Sequence, residues 1–110
     1  MFHIQVKPGQ EVIETLTKEC QKMDCQNGAI VSLIGALDSC CISNMPKDDA
    51  TKDILKEYNE PFEFFGSGEI VDGKVHIHCT LGQENNIALA GHLHWGKVET
   101  WFVSANIIKK

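Results

Sequence analysis

Hydrophobic and polar residues alternate most regularly over Lys74–Leu81. Val75, Ile77, Cys79 and Leu81 take one face, and Lys74, His76, His78 and Thr80 take the other. A strand has a side-chain period of two, so His76 and His78 must point the same way. Ile87–His94 continues the pattern, with Ile87, Leu89 and Leu93 on one face and Ala88, Ala90, His92 and His94 on the other. The polar stretch Gly82–Asn86 between them reads as a turn, so the two runs form a hairpin. A turn over those residues pairs Leu81 with Ile87, His76 with His92 and His78 with Ala90. A slip by two residues would pair His78 with His92 and still keep the histidines together. A slip by one would carry His92 onto the apolar face, where burying its polar groups is unfavourable.

The remaining elements follow from the same reading. Phe2–Lys7 alternates and predicts an opening strand, closed by Pro8-Gly9. From Gln10 to about Gln26, Val12, Ile13, Leu16, Cys20 and Met23 recur at three- and four-residue steps. That spacing predicts a helix with one buried stripe. Glu11 and Glu14 suit its positive N-terminal end, and Asn27-Gly28 supplies a stop. Ala29–Ser43 is apolar and reads as one long central strand, bent or bulged at Gly35. Asn44–Lys52 is a polar loop. Asp53–Tyr58 fits a short strand or a helical turn. Pro61–Val71 is a strand with a kink or close approach at Gly66 and Gly68. Asp72-Gly73 is a tight hairpin turn. Gly96-Lys97 reads as a further turn, and Val98–Ile108 as the last strand, with apolar residues on both faces. One early helix followed by sequential hairpins gives an α+β fold with a mostly antiparallel sheet and one main helix, in a single domain over residues 1–110.

Composition narrows the function. A chain of 110 residues with 43% hydrophobic and 23% charged residues is an ordinary globular domain. No apolar run approaches a membrane span, and the start shows no signal-peptide pattern, so the expected location is the cytoplasm. The five cysteines form no CxxC pair and read as reduced, buried packing residues. Cys79 in particular points to the core face, away from the histidines. Net charge is −5, from fifteen acids against ten lysines, and there is no arginine. Arginine makes the commonest specific base contact and the bidentate phosphate fork. The lysines are also scattered, so direct DNA binding is not expected.

The chemistry concentrates in the histidine hairpin. Paired strand positions have Cβ atoms roughly 4.5–5.5 Å apart, and diagonal ones about 7–8 Å. His76, His78 and His92 can therefore converge on one divalent ion, zinc being favoured by an all-nitrogen ligand set. In this register His94 faces Lys74, whose ammonium is a poor neighbour for a cation, so His94 stays outside the ligand set. His3 reads as an exposed residue of the first strand. Three ligands leave a coordination position for water or a small oxygen-bearing ligand, as in catalytic rather than structural zinc sites. Glu63, inside Phe62-Glu63-Phe64, is a candidate catalytic residue that could orient a ligating histidine or act as an acid or base. An exposed strand face would account for it equally well. Trp95 and Trp101 read as core or interface aromatics.

Several stretches, in order, resemble the PPC ("plants and prokaryotes conserved") domain. They are Gly9-Gln10-Glu11, Ile34-Gly35-Ala36-Leu37, Lys56-Glu57-Tyr58, Pro61-Phe62-Glu63-Phe64 and Gly68-Glu69-Ile70. The most specific are His76-Ile77-His78-Cys79-Thr80-Leu81 and Ala90-Gly91-His92-Leu93. Ala90 stands where the family usually has a glycine, a change a strand tolerates. The histidines make the chain similar to the prokaryotic branch, since plant members mostly lack them. The resemblance implies a homotrimer with the histidine site near subunit boundaries. A more distant similarity is to acetolactate decarboxylase, which holds zinc through three strand histidines. That enzyme also uses an arginine, absent here, so its activity is not carried over. Nor is there an AT-hook or a basic tail of the kind that accompanies DNA association in plant members. The expectation is a homotrimer with a zinc site that binds or transforms a small ligand, whether or not it is an enzyme. The alternative is a non-enzymatic DNA- or transcription-associated PPC module.

Overall fold

A computed structural model describes all 110 residues. The strands are β1 (Phe2–Val6), β2 (Gln10–Glu11), β3 (Gly28–Leu37), β4 (Ser39–Asn44), β5 (Ile54–Tyr58), β6 (Phe62–Val71), β7 (Lys74–Gln83), β8 (Ile87–Val98) and β9 (Val103–Lys109). The single helix, α1, spans Val12–Lys22. All strand pairs are antiparallel, in the order β1-β9-β3-β6-β7-β8-β4-β5, and β2 adds to β8. The fold is therefore the expected α+β arrangement. No helix is long and apolar enough to cross a membrane.

The core lies between α1 and one face of the sheet. Val12, Leu16 and Cys20 from the helix stripe are buried with Ile30, Phe64, Ile77, Leu81, Leu93 and Ile107 from the strands. Four strands separate β1 from β8 in the sheet, yet both touch α1, so the sheet curls around the helix. Gly96 lets β8 come close to the end of β3, because a Cβ there would sit 2.9 Å from Leu37 Cδ1. Curling the apolar face inward leaves the opposite face, which carries the histidines, open.

The helix is shorter than its apolar spacing suggests, for reasons visible at both ends. Gln10–Glu11 pairs with Val98 and Lys97 of β8 instead of joining the helix. The Glu11 carboxylate accepts from Ile13 N at 2.9 Å and Glu14 N at 2.8 Å, which caps the first turn. It also accepts from Gly96 N at 2.8 Å, which ties the helix start to β8. At the other end Asp24 takes a left-handed φ of 53°, Asp24 N donates to Gln21 O, and Cys25 N donates to Cys20 O. This is a Schellman stop with aspartate in the usual glycine position. Met23 therefore ends the helix, exposed, and Asn27-Gly28 lies beyond it.

Three other expectations need correction. The stretch read as one strand over Ala29–Ser43 is two, β3 and β4, which break at Asp38 and enter distant parts of the sheet. A continuous apolar run shows burial but not a corner. Gly96-Lys97 is not a turn; β8 runs through it to Val98, and the turn is Glu99–Phe102. Asp38 makes that turn: its carboxylate accepts from Glu99 N (2.6 Å), Thr100 N (3.0 Å) and Thr100 Oγ1 (2.7 Å). Finally, the last strand starts at Val103, and its outward residues are Ser104, Asn106 and Ile108, not a second apolar face.

The Thr100 hydroxyl and the backbone donors hold the Asp38 carboxyl below its usual range, against some opposing burial. A depressed folded pKa gives stability that is present above the unfolded value and lost as pH falls through the folded one. Asp38→Ala should therefore cost about 1–2 kcal/mol near pH 7, the usual worth of a side-chain cap that satisfies turn donors. The gap between the urea midpoints of the two proteins should shrink below about pH 4. A gap that stays constant down to pH 2 would disprove the assignment.

Candidate metal centre

The β7–β8 hairpin sets the site. Its ladder runs Gln83↔Ile87, Leu81↔Leu89, Thr80↔Ala90 and His78↔His92. This is the two-residue slip, not the register with His76 opposite His92. The cause lies in the turn, which is only Glu84–Asn86, with Asn85 at φ 69° and Asn86 at φ 62°. Asparagine tolerates the left-handed conformation, so β7 extends two residues further than the polar stretch implies. The slip preserves the faces. Ile77, Cys79, Leu81 and Leu93 are buried in the core, while His76, His78 and His92 share the outer face.

One ligand atom from each of His76, His78 and His92 lies within 4.8 Å of the others. His76 Nε2 and His78 Nε2 are 3.2 Å apart. Two nitrogens at about 2.0–2.1 Å from a tetrahedral ion are roughly 3.3–3.4 Å apart, so these two already stand at ligand spacing. The His92 ring closes the cluster, with its centroid 4.9 Å from that of His76 and 5.7 Å from that of His78. All-nitrogen donors on two rigid strands suit zinc.

The surroundings contain groups the sequence reading did not assign. Glu69 pairs directly with His76 across β6–β7, and its Oε2 lies 3.1 Å from His76 Nδ1. His94 is not opposite Lys74, because the slip brings it to the level of His76; its ring is 4.7 Å from that of His92. It occupies a bulge, since Leu93 pairs with Ile42 and Trp95 with Cys41, leaving His94 unpaired against β4. A bulge re-aims its side chain. Here it directs His94 Nε2 to Ser43 Oγ, with which it shares a hydrogen bond of 2.7 Å. Ser43 is the one buried polar residue and pairs with His92.

Glu63 shares the outer face with Ser67 and Glu69 but lies opposite Gly82, exposed. Four residues of strand, about 13 Å, separate it from Ser67, the partner of His78. His3 is exposed opposite Asn106 and is no part of the cluster. Cys79 sits in the core, where burial pushes its thiol up to about 11. Trp95 is half-buried under Lys97 Nζ, and Trp101 is exposed in the Glu99–Phe102 turn.

An open groove of about 980 Å³ runs beside the histidines. Its lining includes His78, His92, Thr80 and Ser67 on the sheet, Val31, Ile34 and Phe65 on the flank, Asn44 at the end of β4, and Met45 and Asp53 from the β4–β5 loop. It contains no lysine, and Asp53 is its only carboxylate.

The chain belongs to the Plants and Prokaryotes Conserved (PCC) domain family, whose model matches residues 1–110. No curated protein matches it. Solved structures with the same fold include a Ralstonia eutropha protein described as a "Putative DNA-binding protein". It is 18% identical, with a TM-score of 0.84, covering 98% of this chain and 76% of that one. A Pyrococcus horikoshii plant- and prokaryote-conserved protein is 23% identical, with a TM-score of 0.77 and coverage of 99% and 79%. A protein from Archaeoglobus fulgidus described as metal-containing is 23% identical, with a TM-score of 0.77 and coverage of 99% and 80%.

Burial, and then the neighbouring His94, His76 and His78, push the His92 pKa below its usual value, while Asp53 pulls the other way. His92 is thus neutral, the form that ligates metal, at neutral pH. In the metal-free protein the His92 ring signals should titrate with a midpoint below 6.5, and His94→Ala should move that midpoint upward. A midpoint at or above 6.5 by NMR would refute this.

Proposed function

We propose that the chain is a metal-binding member of its family, a homotrimer in which His76, His78 and His92 hold one zinc ion per subunit. The position left open takes a small oxygen-bearing ligand. The observation that carries this reading is the convergence of three imidazole ligand atoms within 4.8 Å, two of them already at tetrahedral spacing. The metal-containing description of the Archaeoglobus relative supports it. Zinc in such a site lowers the pKa of its bound water or polarises a carbonyl. The chain's own residues orient and exclude: the sheet fixes the imidazoles, and the groove beside them receives the ligand. With no lysine along its walls, the groove favours an uncharged carbonyl or hydroxyl compound over a phosphate.

The homotrimer is proposed from the family resemblance. Apolar surface supports it: Ile34 is 62% exposed, Phe65 53% and Val31 47%, all on the groove's flank. A second copy seated there would bury side chains that otherwise face water. The competing reading, a DNA- or transcription-associated module, draws on the DNA-binding description of the Ralstonia relative. Net charge of −5 and the absence of arginine disfavour it, because DNA affinity rests on cationic side chains that neutralise phosphates.

Zinc titration of the metal-depleted protein should saturate at about one equivalent per chain. His92→Ala should lose most of that capacity and keep its circular dichroism spectrum; unchanged zinc retention would remove His92 from the site. Light scattering at micromolar concentration should give three chain masses, and a single chain mass would rule out the trimer.

A further inference from the structure

We propose that Glu69 is the positioning residue of the metal site, and that it holds His76 in the tautomer and rotamer that ligate; this rests on reading the three histidines as metal ligands. Glu69 and His76 are directly paired across β6–β7. Glu69 Oε2 lies 3.1 Å from His76 Nδ1, so Nδ1–H donates to the carboxylate. A neutral imidazole carries one N–H, so His76 Nε2 is left as a lone pair. That same Nε2 stands 3.2 Å from His78 Nε2, on the side where the ion would sit. One hydrogen bond therefore fixes the tautomer, the ring orientation and the basicity of the first ligand.

The arrangement is asymmetric. His78 and His92 have no carboxylate on either ring nitrogen, and His94 leans on a serine hydroxyl. His76 and His78 thus form a prepared pair anchored by Glu69. Both partners of the Glu69–His76 contact are close to half exposed, at 48% and 43% of their side-chain surface. An ion pair or hydrogen bond that wet contributes little to folding. Its contribution belongs to metal affinity, where an ordered imidazole matters, and this separates a positioning role from a structural one.

Zinc competition titrations and cobalt(II) absorption spectra on the full chain test the proposal. Glu69→Ala should weaken zinc binding roughly 10- to 100-fold, the usual cost of removing such a partner. Glu69→Gln, whose amide oxygen can still accept from Nδ1–H, should recover much of that loss. The urea midpoint of the metal-free protein should stay put in both variants. At saturation the visible cobalt(II) bands should match those of the unaltered protein, because Glu69 does not touch the ion. Zinc affinity in Glu69→Ala within twofold of the unaltered protein would overturn the proposal while leaving the histidine site intact. A changed cobalt(II) spectrum at saturation would overturn it differently, by making Glu69 a direct ligand. Failure of the unaltered protein to bind zinc or cobalt would remove the underlying metal reading as well.

Discussion

Everything at the site depends on one constraint: the inward face of the β7–β8 hairpin must stay apolar. Ile77, Cys79, Leu81 and Leu93 are buried beneath α1 and its neighbours. Removing such side chains from water is worth roughly 1.5–3 kcal/mol each. A one-residue slip would exchange them for histidines and threonine, and no polar contact on the outer face could offset that. The core therefore excludes every odd shift while leaving even shifts to the turn. Imidazoles on one outer face are a consequence of packing on the other.

This explains which parts were legible in the sequence. The side of the sheet on which His76, His78 and His92 lie follows from alternation alone, and the clustering survives either register. The register itself was not legible from alternation, because Asn85 and Asn86 accept left-handed backbone that a residue count over a polar turn does not anticipate. The same blindness hid the helix stop at Asp24, a left-handed position without glycine. Asp38 posed a different difficulty. A single acid in an apolar run gives no local sign that its carboxylate will gather donors from Glu99 and Thr100, some sixty residues away. Long-range hydrogen bonding, not propensity, divides β3 from β4.

Glu69 was within reach. The two-residue turn at Asp72-Gly73 fixes Val71 opposite Lys74, and counting back gives Glu69 opposite His76. Glu63 drew notice as a carboxylate between two phenylalanines, yet it is exposed because Phe62 and Phe64 are the inward residues and Glu63 is the outward one. In a strand, apolar neighbours in sequence say nothing about burial of the residue between them. Cross-strand arithmetic identifies neighbours; local composition does not.

The close packing of the four histidine rings has an electrostatic consequence of its own. Packed at centroid separations of 4.7–5.7 Å, the rings would repel one another if protonated, and partial burial of His92 adds to that penalty. For His92, burial and the neighbouring rings together favour the neutral imidazole. The carboxylates stand at the margins, Glu69 on the far nitrogen of His76 and Asp53 beside His92, where they offset positive charge without sharing the triad's centre. The spacing of the rings, and with it the pressure on His92, is set by how closely the sheet packs β7 against β8.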